Sequence, residues 1–549
     1  MTWQEIQAID DLLAQETGTV RKDWGGRLPI ALVFPNTYYL GMSSLAVHSL
    51  YQMWNARDDV VCERVFAGLG ASARPGSRPD AVLSLESASP LDYFPILAVT
   101  LTYEMDYFNT VAVLRAANIP ARAAERDDTH PLIVAGGPAI TANPEPLAPL
   151  LDAIVIGEVE PIFQQLTDAL GAVADGRRAA LEALTGIPGV YLPHRQDPAV
   201  GSPVARLWLP DLDCEPTHSV ILTPNTEFAA MGLIEIARGC GRGCRFCLAG
   251  YGYRPPRERS AGSILAQARA LLAHTDRLGL VSAAVSDHSQ IDELAVELRR
   301  LGARISVSSL RVDPLSLPLL RALADSGTRT LTIAPEAGSE RLRRVINKTV
   351  TEDDVLCAVE QAADHGFGQL KLYFMLGLPS EEQEDVEAMV ALARECANRF
   401  PGQTTVNVTP FVPKAGTPFQ RVAQTPARVV KRRLDYVDNQ LRRQGVVVKG
   451  ESPAWAEIQG TLARGDRRVA EALLTVKRLT PSSWKEALRK VGLSPAELLG
   501  ARHDDDPLPW DVVASGVRAG YLAREARRAG DGRTTPPCPP EDCTACGVC

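Results

Sequence analysis

The 549-residue sequence contains no run of about 18 apolar residues, which excludes an ordinary membrane-spanning helix. Its first residues, MTWQEIQAIDDLLAQETG, lack the basic start and apolar core of a secretory signal, so a cytoplasmic protein with no membrane partner is expected. No internal repeat at a solenoid period is visible. Basic charge is not in excess: 58 Lys and Arg stand against 66 Asp and Glu, a net charge of −8. That balance argues against a wholly basic nucleic-acid binder. The 11 cysteines, in a chain without an export signal, do not suggest a disulfide framework. They point instead to metal or redox chemistry. Cys62, Cys214, Cys357 and Cys396 are scattered and are expected to be buried, inert thiols. The other seven fall in two tight groups.

Composition is otherwise that of a globular protein, and the length suits two or three domains. Over residues 1–192, β-prone apolar runs alternate with helical patterns. The runs are LPIALVFP from Leu28, DVVCERVF from Asp59, ILAVTLTY from Ile96, PLIVAGG from Pro131 and DAIVIGE from Asp152. Helices between strands predict parallel βαβ units, so the class is α/β, beginning with a doubly wound, Rossmann-like sheet. Ligands on such sheets sit at the carboxyl ends of strands. Gly136 and Gly137, and then Gly157 and Glu158, fall there, although a tight turn uses glycine too.

Residues 193–227 read as an irregular, Pro-rich linker. A second series over residues 228–424 runs through GLIEIAR, GLVSAAVS, ARISVSSL, TRTLTIAPE, QLKLYFML and TTVNVTPF. Six βα units make a partial (β/α)6 barrel, two short of a closed eightfold one. Residues 425–530 read as a helical C-terminal extension and 531–549 as a Cys-rich tail. Between Pro426 and Arg502 lie 16 Lys and Arg against 8 Asp and Glu. That segment is either a solvated helical face or a contact for a phosphate-bearing substrate such as RNA. Arg432, Arg433, Arg467 and Arg468 are the candidates for such a contact.

The first cysteine group is ARGCGRGCRFCLAG, with Cys240, Cys244 and Cys247 spaced C-x3-C-x2-C. Zinc with a distant fourth ligand is one reading. Three thiolates on a glycine-rich loop also suit three irons of a cubane, with the fourth iron left open. C-x3-C-x2-C with Phe246 before the last cysteine, after the first strand of a partial barrel, resembles the radical S-adenosylmethionine superfamily. YRPPRERS, TIAPEAGSERLRRVINK, LKLYFMLGLPSE and VNVTPFVPKAGTPFQ resemble further segments of it.

The resemblance implies a 4Fe-4S cluster on Cys240, Cys244 and Cys247, its open iron chelated by S-adenosylmethionine. It also implies a reductant such as ferredoxin or flavodoxin. In that family a Gly-Gly-Glu-like segment after the second strand binds the amino group of the cosubstrate. Here the place reads VSDHS, giving Ser286, Asp287 and His288. Ser309 and Arg311 follow the third strand. Glu336 follows the fourth, where it would face ribose or the sulfonium, or else make an ion pair with Arg341 or Arg343. Phe246, Met375 and Gly377 complete the expected cosubstrate site.

The first domain, placed before such a core, resembles a cobalamin-binding domain. There D-x-H-x-x-G supplies a histidine to cobalt. Here NTYYLG puts Asn36 in place of the acid and Tyr38 in place of the histidine, and keeps Gly41. Tyrosine cannot act as a neutral imidazole. Two readings stand: cobalamin held without that ligand in a pocket at Asn36, Tyr38, Gly41, Gly136 and Gly137, or a retained scaffold serving substrate or partner. In the tail, Cys538, Cys543, Cys546 and Cys549 offer four thiolates for a second cluster or zinc. The expectation is a radical enzyme acting on an unknown substrate. The alternatives are an RNA-modifying enzyme of this kind, action on a protein substrate, and a non-catalytic iron–sulfur sensor or assembly protein.

Overall fold

The computed structural model describes residues 3–70, 75–76, 82–195, 202–313, 315–539 and 543–548. The first sheet contains β1 (Leu28–Thr37), β2 (Val60–Gly68), β3 (Ile96–Thr100), β4 (Leu132–Gly136), β5 (Ala153–Val155) and β6 (Val190–Tyr191). Their order is β2-β1-β3-β4-β5-β6, parallel except for the β6 edge. All five apolar runs became these parallel strands. Their near-continuous burial follows from cover on both faces. One face is covered by the helices Leu45–Asn55 and Phe163–Gly171. The other carries the helix Asp106–Ala116, which is buried along most of its length.

That burial comes from an unexpected quarter. The helices Pro453–Arg464, Arg468–Thr475, Pro481–Lys490 and Pro495–Leu499 share one hydrophobic core with this face of the first sheet. Trp484 packs edge-on against Phe108 at 5.0 Å, and its indole N–H donates to Thr461. The segment expected as a separate helical extension is therefore divided. Its first part joins the barrel and its middle seals the first domain.

The stretch expected as a linker is threaded between the domains. It includes β7 (Val204–Ala205), and Ser219 N–H donates to the Leu233 carbonyl. The barrel begins with β8 (Gly232–Glu235). A two-residue hairpin of β9 (Ala237–Arg238) and β10 (Arg257–Glu258) follows. Then come β11 (Arg277–Val281), β12 (Arg304–Val307), β13 (Thr330–Glu336), β14 (Gln369–Leu376), β15 (Gln403–Pro410) and β16 (Val447–Gly450). β8, β11 and β12 pair in parallel, as do β13 to β16. A single parallel bridge between Leu310 and Ile333 joins the two halves. The six expected strands are all present, and β16 adds a seventh. Short polar side chains start the intervening helices: Ser260, Ser316 and Thr351 each accept a backbone N–H of the first turn. Further on, β17 (Val513–Ala514) pairs with β7, and the helix Ala519–Gly530 leads to the tail.

Most basic residues of the segment are exposed, as a solvated helical face would have them, but three of the four arginines named as phosphate contacts are paired. Arg433 pairs with Glu381 at 2.7 Å, Arg467 with Glu145 at 2.6 Å, and Arg468 with Asp466 at 2.7 Å. Arg464 is fully buried on backbone carbonyls. Arg432 remains exposed. The scattered cysteines also divide: Cys62 and Cys396 are buried, whereas Cys214 and Cys357 are exposed. Among the described residues no helix is long and apolar enough to cross a membrane.

Candidate functional site

The three cysteines ride on the loop between β9 and β10, whose pairing closes its base (Arg238 opposite Arg257). Gly239 opens the loop at φ +85°, where a side chain would meet the Tyr253 carbonyl at 2.4 Å. Only glycine fits that turn. Arg245 then fixes the loop from inside. Fully buried, it donates to the carbonyls of Arg344 and Val345 at 2.9 Å each and to Glu525 at 3.2 Å. Asn347 donates to the Gly243 carbonyl at 3.1 Å, and Tyr251 reaches the same carbonyl at 3.0 Å. The loop is thus held by the end of the helix Glu340–Val345 and by the C-terminal helix.

Around Cys244 lies a charged basin. Burial raises its thiol, while the facing charges of Lys348 and Arg311 act in the opposite sense, and Cys240 and Glu336 raise it further. Cys247 is pushed up to about 12, first by burial and then by the neighbouring Cys244. Such thiols would bind a metal only by losing their protons to solvent as the metal displaces them. Arg242 grips Asp287 through two bonds of 2.8 and 2.7 Å. Arg311 grips Asp313 through 2.8 and 2.9 Å, and its backbone N–H reaches Ser286 Oγ at 3.3 Å. Arg311 Nε is buried without a hydrogen-bond partner, 3.8 Å from Asp287. A buried, unsatisfied guanidinium nitrogen is costly, and it fits a place kept for an anionic ligand group.

Glu336 ends β13 at φ +68°, after a register shift. A non-glycine residue there is strained, and such strain gathers at functional sites. Burial raises its carboxyl, and Lys348, at 3.8 Å, opposes that. Its partner is Lys348, not Arg341 or Arg343. Arg341 pairs with Asp385, and Arg343 donates to the carbonyls of Ala337 and Gly338.

Beside the loop a cavity of about 710 Å³ separates the two domains. Thr100, Gly136, Gly137 and Gly157 line it from the carboxyl ends of the first sheet. Gly239, Leu248 and Tyr253 line it from the cysteine loop, and Trp510 and Val513 from the C-terminal segment. Gly137 is held at φ +115°, where a side chain would strike the Leu101 carbonyl at 2.5 Å. Glu158 ties the walls together, accepting from Arg238 and Arg257 at 2.8 Å each.

Of the expected site residues, Cys240, Cys244, Cys247, Ser286, Asp287, Arg311 and Glu336 border one basin. Phe246 and Met375 share an apolar cluster behind it. His288 is turned away: its Nε2 meets the Arg259 carbonyl at 2.9 Å and its Nδ1 accepts from Gln290. Ser309 is exposed. Gly377 serves a turn, its N–H donating to Glu381 at 3.0 Å. Asn36, Tyr38 and Gly41 do not line the cavity. Asn36 donates to Asp106 at 2.7 Å, and burial lifts Asp106 to about 6. Tyr38 is fully buried and donates to Glu16. A side chain at Gly41 would strike the Phe66 ring. Gly136 and Gly137 do line the cavity. In the tail, Cys549 lies outside the described residues. Among the described residues no three His, Cys, Asp or Glu are gathered as around one metal ion. Sequence reading missed Arg245 and Asn347, whose partners are about 100 residues away, and also Lys348 and Arg254.

Arg245→Met would leave the buried Glu525 carboxylate without its cation. Removing one partner of such a pair costs about 3–5 kcal/mol. The variant is expected to unfold at a lower denaturant midpoint and to load less iron on anaerobic reconstitution. An unchanged midpoint and iron content would show that the clamp is not needed.

Residues 46–193 match the family described as "Radical SAM proteins, N-terminal", and residues 234–393 match the "Radical SAM superfamily". An uncharacterized protein of Methanocaldococcus jannaschii is 31% identical over 84% of this chain and 94% of its own length. An uncharacterized methyltransferase of Pyrococcus horikoshii is 26% identical, over 56% of this chain and 68% of its own length. A dual-specificity RNA methyltransferase of Xylella fastidiosa is 22% identical, over 57% and 81%. Among solved structures, the cobalamin-dependent S-adenosylmethionine radical enzyme OxsB with aqua-cobalamin bound aligns at a TM-score of 0.44 and 12% identity. That alignment covers 67% of this chain and 52% of the other. The family matches, the near full-length relative and the three-cysteine loop on a partial barrel agree: this chain is an enzyme of the radical S-adenosylmethionine superfamily.

Proposed function

We propose that the chain binds a 4Fe-4S cluster through Cys240, Cys244 and Cys247 and uses it to cleave S-adenosylmethionine reductively. The observation that carries this reading is the basin itself. Three thiols on a clamped loop adjoin Arg311, whose buried Nε lacks a hydrogen-bond partner, together with Lys348 and two carboxylates. When bound, the cluster supplies the electron that breaks a carbon–sulfur bond of the cosubstrate, releasing methionine and a 5′-deoxyadenosyl radical. The chain's own residues hold and orient. Arg311 and Lys348 suit the carboxylate of the methionine moiety. Asp287 and Glu336 suit its ammonium and the ribose hydroxyls. Phe246 and Met375 supply an apolar wall. The electron comes from a one-electron protein donor of the ferredoxin or flavodoxin kind.

Wild-type protein, reconstituted anaerobically and given S-adenosylmethionine and a strong reductant, is expected to form 5′-deoxyadenosine. Cys244→Ala should form at least a hundredfold less. A cluster that cycles between redox states in the wild type without any 5′-deoxyadenosine would favour the sensor reading instead.

The cavity beside the loop supports a second assignment, cobalamin held without a protein histidine. Its volume falls within the range of about 300–1,000 Å³ usual for small-molecule and cofactor sites. Its wall at Gly136, Gly137 and Gly157 is bare backbone, against which a flat ring can lie. No histidine lines it among the described residues. Titration with hydroxocobalamin is expected to show binding at about one per chain, with a spectrum lacking histidine ligation. Gly136→Trp should abolish it. Absence of binding to the wild type would leave the cavity to the substrate alone. RNA as that substrate draws support from the likeness to an RNA methyltransferase. The basic segment lends little, since Arg433, Arg467 and Arg468 are spent on ion pairs.

A further inference from the structure

The helix Ala519–Gly530 lies directly behind the cysteine loop. Tyr521, Leu522, Glu525 and Ala529 form its buried stripe. Ala529 packs among Leu342, Val345 and Ile346, so this helix runs beside the helix Glu340–Val345. Arg254 lies over the rings of Tyr251, next to the loop, and Tyr521, at 4.9 and 5.3 Å. Arg245 completes the join. It donates to the Arg533 carbonyl at 2.6 Å, as it does to the Arg344 carbonyl at 2.9 Å. The backbone that holds the loop is therefore the backbone that carries Arg344 and Arg533.

The outer stripe of this helix is basic. Arg524 and Arg527 are exposed, as are Arg344 and Arg533 beside them. Among the described residues no carboxylate lies within ion-pairing distance of Arg524, Arg527 or Arg533. Glu525 is 1% exposed and committed to Arg245. The exposed acids nearby are Glu340, 3.8 Å from Arg344, and Asp531 at the helix end. The chain as a whole carries −8, so this face runs against its own net charge. A local cationic patch of this kind steers an anionic partner and fixes its orientation.

Position selects the partner. Leu522 lines the cavity between the domains. At 3.6 residues per turn, Arg524 and Arg527 stand about 200° and about 140° round the helix from Leu522, on the side away from that cavity. A polyanionic substrate reaching into the cavity gains little from charges placed there. The cysteine loop, by contrast, is one hydrogen bond away. We propose that the face formed by Arg344, Arg524, Arg527 and Arg533 docks the acidic one-electron donor protein that reduces the cluster. The proposal rests on the cleavage reading above, which requires such a donor. The donor is oxidised by one electron, the cluster is reduced by one, and no proton or group is transferred.

The test is calorimetric titration of the reconstituted full chain at low salt with an oxidised acidic flavodoxin and, separately, an oxidised acidic ferredoxin. At least one should bind the wild type, more weakly as salt rises. The double reversal Arg524→Glu, Arg527→Glu should weaken that binding by about tenfold or more and flatten its salt dependence. An equal change of charge on other exposed helices, Arg178→Glu with Arg300→Glu, should leave it as in the wild type. Iron content and 5′-deoxyadenosine formed with dithionite should be unaffected by the first reversal, while the donor-driven yield falls with the affinity. Unchanged donor affinity in the first reversal, or no binding of either donor to the wild type, would overturn the proposal. So would a single-stranded RNA oligonucleotide whose binding is lost in the first reversal while donor affinity stays, because the face would then belong to nucleic acid. A wild type that makes no 5′-deoxyadenosine with dithionite would defeat the cleavage reading instead, and the affinity series would still decide the docking face.

Discussion

The site depends on one buried guanidinium. Arg245 sits within the cysteine loop, between Cys244 and Cys247, and spends its donors on two carbonyls at the end of one helix and a carboxylate on another. A loop rich in glycine has many conformations available, and fixing it carries an entropic cost that local contacts cannot offset. Arg245, through the Arg344 and Val345 carbonyls, and Asn347, through the Gly243 carbonyl, tie the loop to a segment about 100 residues away. The C-terminal helix contributes Glu525 from 280 residues away. The sequence therefore has to complete most of its fold before the three thiols take up a defined spacing.

The same economy governs the larger architecture. A parallel sheet must be covered on both faces, and this chain covers one face of its first sheet with helices from its last hundred residues. That arrangement holds the first sheet and the barrel at a fixed separation. Glu158 locks them together through Arg238 and Arg257. The space between carboxyl ends and cysteine loop is thereby walled from both domains. Of the four arginines that look like a nucleic-acid face in the sequence, Arg433 and Arg467 are fasteners of this assembly.

The alternation of apolar runs made the strands of both domains legible, because parallel strands buried on both sides leave a strong signal. The cysteine spacing made the cluster loop legible for the same reason: its chemistry is local. What escaped was whatever depends on how the chain folds back on itself. Lys348 beside Glu336, Asn347 under the loop, and Arg254 between two tyrosines show no pattern of their own. β16 is short and ends in Lys449 and Gly450, so nothing marks it as a strand. Tyr38 misled by register alone. It occupies the place of a histidine ligand, yet it points into the core to satisfy Glu16, away from the cavity. His288 misled likewise, since both its nitrogens are needed by the backbone around it.

The account rests on a three-thiolate loop whose remaining position is filled by S-adenosylmethionine. The most direct measurement is electron–nuclear double resonance on the reduced wild-type protein, with cosubstrate isotopically labelled at its amino nitrogen. The account predicts a hyperfine coupling between that nitrogen and the cluster, lost when Arg311 is replaced by alanine. Bound cosubstrate with no such coupling would contradict it, and would mean that another ligand completes the site.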